Sequence, residues 1–205
     1  MKALRTIALA AVAAAVLAAP ATAATTTVVT FDDLSGTGLI ADGYGGVNWN
    51  QNFRYDDKQY PGYPPHSGLT TVYSNYAKFP VEGPLASMAV NFLEAVQFNG
   101  AYFSGNVGFP LKFELYREGV KVATSATLSS AGVPQWLAGG YSGLVDEVRL
   151  IGNPGRFVMD DFTYTTGISS AVPEPASWAL MIVGFGAAGT MVRMARRQTG
   201  AALAA

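Results

Sequence analysis

The chain has 205 residues, half of them hydrophobic and 13% charged, with a formal net charge of −1 at pH 7, one histidine and no cysteine. The lack of cysteine excludes disulfide staples, cysteine nucleophiles and thiolate metal sites, so stability rests on a core that a domain of this size can bury unaided. The single histidine excludes a His-rich zinc site, and any Ser-His-Asp hydrolysis would have to run through His66.

The chain opens on a positive n-region, Lys2 and Arg5, then an Ala/Val/Leu run over 6–19 and a small-x-small step at Ala21, Thr22 and Ala23. This order is that of a Sec-type signal peptide over 1–23, with a mature start near Ala24. The body, 24–171, is roughly 150 residues, one domain's worth. Five of the 13 bases lie in the two terminal segments, and of the 14 acids only Glu174 does, so the body holds thirteen acids against eight bases, or about −5. An acidic body argues against nucleic acid as a partner. It suits a surface protein that binds divalent cations or neutral glycans.

The body reads as strands throughout. The β-branched run 25–31 ends in a carboxylate pair, and 47–49 and 69–73 are short candidates. Residues 88–92 and 96–103 alternate apolar with small or polar side chains. In 111–117, Leu111, Phe113 and Leu115 alternate with Lys112, Glu114 and Tyr116, a strong period-two signal. Glu118-Gly119 then forms a hairpin turn into 120–124. Trp136-Leu137, 144–151 and 157–164 complete the set, with a turn at 152–155. No ten-residue stretch carries a helical repeat. Short strands between frequent glycines and prolines predict an all-β fold, a single β-sandwich or jelly roll.

Two carboxylate pairs bracket this domain. Asp32-Asp33 closes the first strand and Asp160-Asp161 lies in the last. First and last strands of a jelly roll commonly neighbour each other, and four carboxylates gathered there repel unless compensated. Structural calcium, with its six to eight hard oxygen ligands, fits Asp32, Asp33, Asp160 and Asp161. The alternative is that these aspartates cap turns. No spaced EF-hand loop is present.

The segment 49–79 is rich in aromatic residues and stiffened by proline. Trp49, Tyr55, Tyr60 and Tyr63, with Asn, Gln and Asp beside them, form a candidate sugar platform, since tyrosine offers a flat apolar face and a polar tip. The competing reading is that these rings pack the segment down on itself. Asp56-Asp57-Lys58 could serve either site. His66 sits in a Pro/Gly-rich loop with no nucleophile elbow to partner it and reads as a solvated loop histidine. Glu94, Glu114, Glu118 and Glu147 are the candidates for a glycosidase pair, but nothing marks two of them as facing each other. The body is expected to be non-catalytic.

The C-terminal segment carries Pro173, Glu174 and Pro175, then Trp178-Ala179 inside an apolar run over 178–192, then Arg193, Arg196 and Arg197. The apolar run is about 15 residues, short of the roughly 20 that span a bilayer comfortably, and snorkelling arginines would extend it. A rigid motif, a short membrane helix and a basic stop read as a sorting segment over 172–197, with a cytoplasmic tail over 198–205. An ordinary C-terminal anchor is the alternative.

This tail resembles the PEP-CTERM sorting signal, in the subclass where Trp-Ala follows the triplet. The resemblance implies recognition by exosortase in a Gram-negative, exopolysaccharide-producing bacterium. It implies transient anchoring in the inner membrane, removal of the tail, and release to the cell surface or extracellular matrix. The motifs TFDDL and DDFTY resemble the jelly-roll domains of PEP-CTERM proteins and calcium-dependent carbohydrate-binding modules. Three functions stay open: a matrix protein that binds exopolysaccharide, a purely structural or adhesive biofilm protein, and a secreted hydrolase.

Overall fold

In a computed structural model of the chain, the described residues are 23–81, 83–168, 181–190 and 193. The chain divides into a strand-rich unit, 22–168, and a second unit made of 1–21 and 169–205. The first holds twelve strands among its described residues: β1 (Thr25–Val29), β2 (Thr37–Leu39), β3 (Val47–Asn48), β4 (Phe53–Asp56), β5 (Thr71–Ser74), β6 (Ala86–Gly105), β7 (Pro110–Arg117), β8 (Val120–Thr124), β9 (Leu128–Ser129), β10 (Gln135–Ala138), β11 (Val145–Gly152) and β12 (Phe157–Thr166).

All pairings are antiparallel, and the fold is a jelly-roll-like β-sandwich as expected. The two alternating segments around 88–103 are one 20-residue strand, β6, that belongs to both sheets. Its first half pairs with β3 and β11; its second half pairs with β10 and β12. The register breaks between Val96 and Asn91, where Leu93 and Glu94 turn out to solvent. A strand that passes from one sheet to the other through such an irregularity turns a sandwich corner. The first sheet runs β2-β4-β5-β12-β6 with β10 at its edge, and the second runs from β6 through β11 and β7 to β8.

The inner faces meet in an aromatic core. Phe98 of the first sheet stands edge-on to Phe113 of the second, with centroids 4.7 Å apart. Trp49 fits between Phe31, Phe53 and Phe162 at 5.3–5.8 Å. Each such ring, wholly removed from water, contributes about 1.5–3 kcal/mol of transfer free energy.

β1 pairs with β12 from Thr25↔Thr166 to Val29↔Phe162, so the first and last strands are neighbours as anticipated. β1 stops at Val29 rather than reaching residue 31. Phe31 takes a left-handed φ of 62°, which drives its ring into the core and ends the extended run. The hairpin at Glu118-Gly119 is as read. Both residues have positive φ, 52° and 76°, the two-residue type I′ pattern that matches strand twist. Strands β2, β4 and β9 had no counterpart in the sequence reading. β4 lies inside the aromatic segment, where two of its four residues are charged and the apolar run is too short to register.

In the second unit, residues 181–190 are helical. Among the described residues no helix is long and apolar enough to cross a membrane. The expected signal peptide, except Ala23, lies outside the described residues. So do Pro173, Glu174, Pro175, Trp178, Ala179, Arg196 and Arg197; Arg193 is described, helical and exposed.

Candidate functional site

Strand parity sorts the aromatic segment onto two faces. β4 and β5 pair Phe53↔Ser74, Arg54↔Tyr73, Tyr55↔Val72 and Asp56↔Thr71. Val72 and Phe53 are core, so Tyr55 shares their inward face and packs partly against the core. Arg54, Asp56, Thr71 and Tyr73 fall on the outer face. The connection from β4 to β5 then folds back across that outer face. The Pro64 carbonyl accepts the Ser104 hydroxyl at 2.6 Å, and the His66 ring stacks on Tyr102 at 3.5 Å and 7°.

This return course leaves a cleft of about 520 Å³ on the outer face, walled by Tyr60, Tyr63, Tyr73 and Tyr76, with Asp56, Thr71 and Val158 at its floor and sides. Tyr73 and Tyr76 lie 5.2 Å apart at 38°. The Tyr60 hydroxyl donates to Asp56 Oδ2 at 3.2 Å, and that bond is the main reason its phenol is held above its ordinary pKa. Tyr76 is raised as well, first by burial and then by the neighbouring phenols of Tyr73, Tyr63 and Tyr60. The Tyr63 hydroxyl is committed to Asn106 Oδ1 at 2.6 Å and to the Gly155 carbonyl at 3.2 Å, so this ring is fixed as a wall.

Of the residues expected to bind a sugar, Tyr60 and Tyr63 meet at the cleft. Tyr55 does not, because its place in β4 turns it inward. Trp49 does not either. It is 0% exposed, its indole N–H donates to the Tyr44 carbonyl, and burial among three rings makes it core rather than platform. Tyr73 and Tyr76 complete the cleft and were not singled out from the sequence. Val72 and Tyr73 alternate within β5, and it is the burial of Val72 in the core that sets Tyr73 on the outer face.

The four aspartates separate into two environments. Asp160 is 2% exposed, and its Oδ2 accepts the backbone N–H groups of His66 and Ser67 at 2.8 and 2.7 Å. Its Oδ1 accepts the N–H of Asp161. Burial nevertheless pushes its carboxyl up to about 6, against those bonds and with help from Asp161. Asp161 sits at a left-handed φ of 49° where β12 slips register against β6. It takes His66 Nδ1 at 2.6 Å and the Ser67 hydroxyl at 3.1 Å. Asp32 joins from beyond β1, 3.3 Å from the same hydroxyl. Gly68 permits this approach, because a Cβ there would stand 1.8 Å from Asp32 Oδ1. Asp33 points the other way and accepts from the Tyr44 hydroxyl.

Three of the four carboxylates therefore converge on Ser67, and the fourth does not. Among the described residues no group of three His, Asp or Glu side chains is placed to hold a metal ion. His66 differs from the solvated loop residue expected: its side chain is 40% exposed, but it is pinned by Asp161 and Tyr102.

The glutamates lie elsewhere. Glu147 pairs with Arg149, and Glu114 with Lys121 at 3.3 Å, both on the second sheet. Burial acts to raise Glu114, but its bonds from Tyr116 and Lys121 outweigh that and hold it below the ordinary value. Glu94 and Glu118 are exposed.

No curated protein matches the chain. Solved structures with a similar course include a carbohydrate-binding module of family 29, at 14% identity and a TM-score of 0.39 over 75% of this chain and 99% of that one. Variants of such a module are also similar. One, solved with mannohexaose, has 15% identity, TM-score 0.40, and covers 71% of this chain and 94% of its own. Another, solved with cellulohexaose, has 14% identity, TM-score 0.39, and covers 70% and 92%. Likeness at this level assigns neither a ligand nor a binding residue. The C-terminal residues 171–197 match the PEP-CTERM protein-sorting motif, so the chain carries at its end a sorting signal that implies exosortase-targeted export.

Proposed function

We propose that the strand body is a non-catalytic surface or matrix module that holds extracellular polysaccharide in the tyrosine cleft, after exosortase removes the tail near Pro173, Glu174 and Pro175. The observation that carries the reading is the cleft itself: four tyrosines and one carboxylate gathered on an outer sheet face, in a chain that bears a sorting signal. Aromatic faces flanked by hydrogen-bonding groups match the C–H faces and hydroxyls of sugars, and sites of this kind are concave and mostly preformed. The fixed hydroxyl of Tyr63 and the folded-back loop supply that preformation.

Affinity electrophoresis of the exported protein through gels loaded with matrix polysaccharide tests the reading. Retention of the wild type, lost in Tyr60→Ala and Tyr73→Ala at unchanged melting temperature, is expected. Equal mobility of all three would point instead to a structural or adhesive protein without a glycan site. Intact mass tests the processing: the mature chain should lack Arg196 and Arg197. Calcium on the aspartates forms no part of this proposal, since Asp160 and Asp161 are occupied by backbone, hydroxyl and imidazole partners.

A further inference from the structure

The cleft carries a charge that its surroundings do not cancel. Asp56 is 8% exposed; its Oδ1 accepts the backbone N–H of Lys58 at 2.9 Å and its Oδ2 the Tyr60 hydroxyl. Both donors are neutral. The ion pairs among the described residues join other groups: His66 with Asp161, Arg117 with Glu118 and Asp146, Lys121 with Glu114, and Arg149 with Glu147. No lysine or arginine lines the cleft. Arg54 stands opposite Tyr73 on the same face but outside the lining, and the Arg156 guanidinium lies over Phe109. The phenols of Tyr73, Tyr63 and Tyr60 stand close enough to Tyr76 to help burial raise it. Carboxylate, phenol oxygens and aromatic faces are all electronegative toward a ligand in their midst.

We propose that the cleft selects an amino sugar, a hexosamine lacking its N-acetyl group, whose ammonium is received by Asp56 and the tyrosines around it. The inference rests on the glycan reading above and adds the chemical class. An ammonium brings three N–H donors and a full charge, so it can use the lone pairs of Asp56 that Lys58 and Tyr60 leave open. Cation–π attraction to the tyrosines adds to this when water is displaced. A neutral sugar gives the largely buried carboxylate weaker partners. A uronate sets a second negative charge against Asp56 with no cation in the cleft to relieve it.

Titration calorimetry of the exported protein with three oligosaccharides separates these cases. The probes are a glucosamine hexamer, the N-acetylglucosamine hexamer of the same linkage, and a galacturonate hexamer, at mildly acidic pH where the amine is protonated. Expected is a preference of about tenfold or more for the glucosamine hexamer over its N-acetylated twin, with the galacturonate hexamer weakest. Asp56→Asn, which keeps an acceptor for the Lys58 N–H, should erase the preference. Tyr60→Phe, which keeps the aromatic face and frees Asp56 Oδ2 of its O–H donor, should retain the preference. Equal or reversed affinities, with sugars still bound, would overturn the amino-sugar assignment and leave glycan binding standing. No binding of any sugar would remove both. Choline bound as tightly as the glucosamine hexamer would also overturn the assignment, because a cage for any ammonium needs no sugar.

Discussion

Two sets of aromatic residues arise from one stretch of sequence and end on opposite sides of one sheet. Trp49, Phe53 and the inward ring of Tyr55 belong to the interior; Tyr60, Tyr63, Tyr73 and Tyr76 wall a cleft on the outside. Composition does not separate them. What separates them is strand parity in β4 and β5, and the path of the loop that returns across the outer face. The inner rings are held by other rings. Of the outer ones, Tyr60 is held by its hydroxyl bond to Asp56 and Tyr63 by its bond to Asn106, while Tyr73 and Tyr76 lie against each other. Aromatic density in the sequence therefore does not say which rings face the core and which face solvent.

The hardest test of this division is Trp49→Ala. Removing a ring with no exposure should cost about 3–5 kcal/mol of stability, as large-to-small core changes do. Chemical denaturation reads this directly. Any loss of polysaccharide retention should follow the unfolded fraction. A Trp49→Ala protein that stays fully folded but no longer binds would move this residue to the outer set.

The next effect concerns the floor beneath the loop. Asp160 has its carboxyl raised to about 6 by burial, so between about pH 4 and pH 6 the folded protein keeps a proton that the unfolded chain has released. This group then favours the fold most below pH 4. Its contribution falls as pH rises from about 4 to about 6 and is flat above, a difference of about 3 kcal/mol. Comparing the pH dependence of melting for wild type and Asp160→Asn isolates it. A wild type that matches the variant across that window would show Asp160 behaving as an ordinary surface carboxylate. The His66 and Ser67 amide signals should shift with the same midpoint, since both donate to Asp160.

The sequence made the architecture legible where alternation was long and regular. Leu111, Phe113 and Leu115 announced β7, and the Glu118-Gly119 turn announced its hairpin partner. The pairing of first and last strands followed from strand order. The site was legible only in part. Tyr60 and Tyr63 stood out because proline stiffens their segment, yet Trp49 stood out equally and is core. Asp56 was noted but left between two candidate sites, and Tyr73 was not chosen, because β4 spans four residues and only its pairing with β5 fixes which side each residue takes. Likewise, Asp32 and Asp33 were treated alike because they are adjacent. The turn after Phe31, whose φ is positive, sends one toward Ser67 and the other toward Tyr44.

Tyr55→Ala falls between the two sets. The ring shares the inward face of β4 with Phe53 but is only partly buried, so truncation should cost about 1–2 kcal/mol of stability. Binding measured on the folded fraction should be unchanged. Weakened binding at full stability would mean that this ring reaches the ligand and that the face assignment is wrong.

Tyr60→Ala is expected to change stability least and so to sharpen the comparison most. The residue is 49% exposed and its hydroxyl bond to Asp56 is at the surface of the cleft, so stability should move by no more than about 0.5 kcal/mol. Polysaccharide binding should weaken by roughly 1–2 kcal/mol, about five- to thirtyfold, the range in which interface aromatics act. Tyr60→Phe should fall between wild type and alanine in binding, because it keeps the face and loses the hydroxyl. The two measurements must diverge for the outer set to be a site. A Tyr60→Ala protein that loses stability while holding polysaccharide as before would return this tyrosine to the packing of the loop, and the outer rings would then differ from the inner ones only in how much water they see.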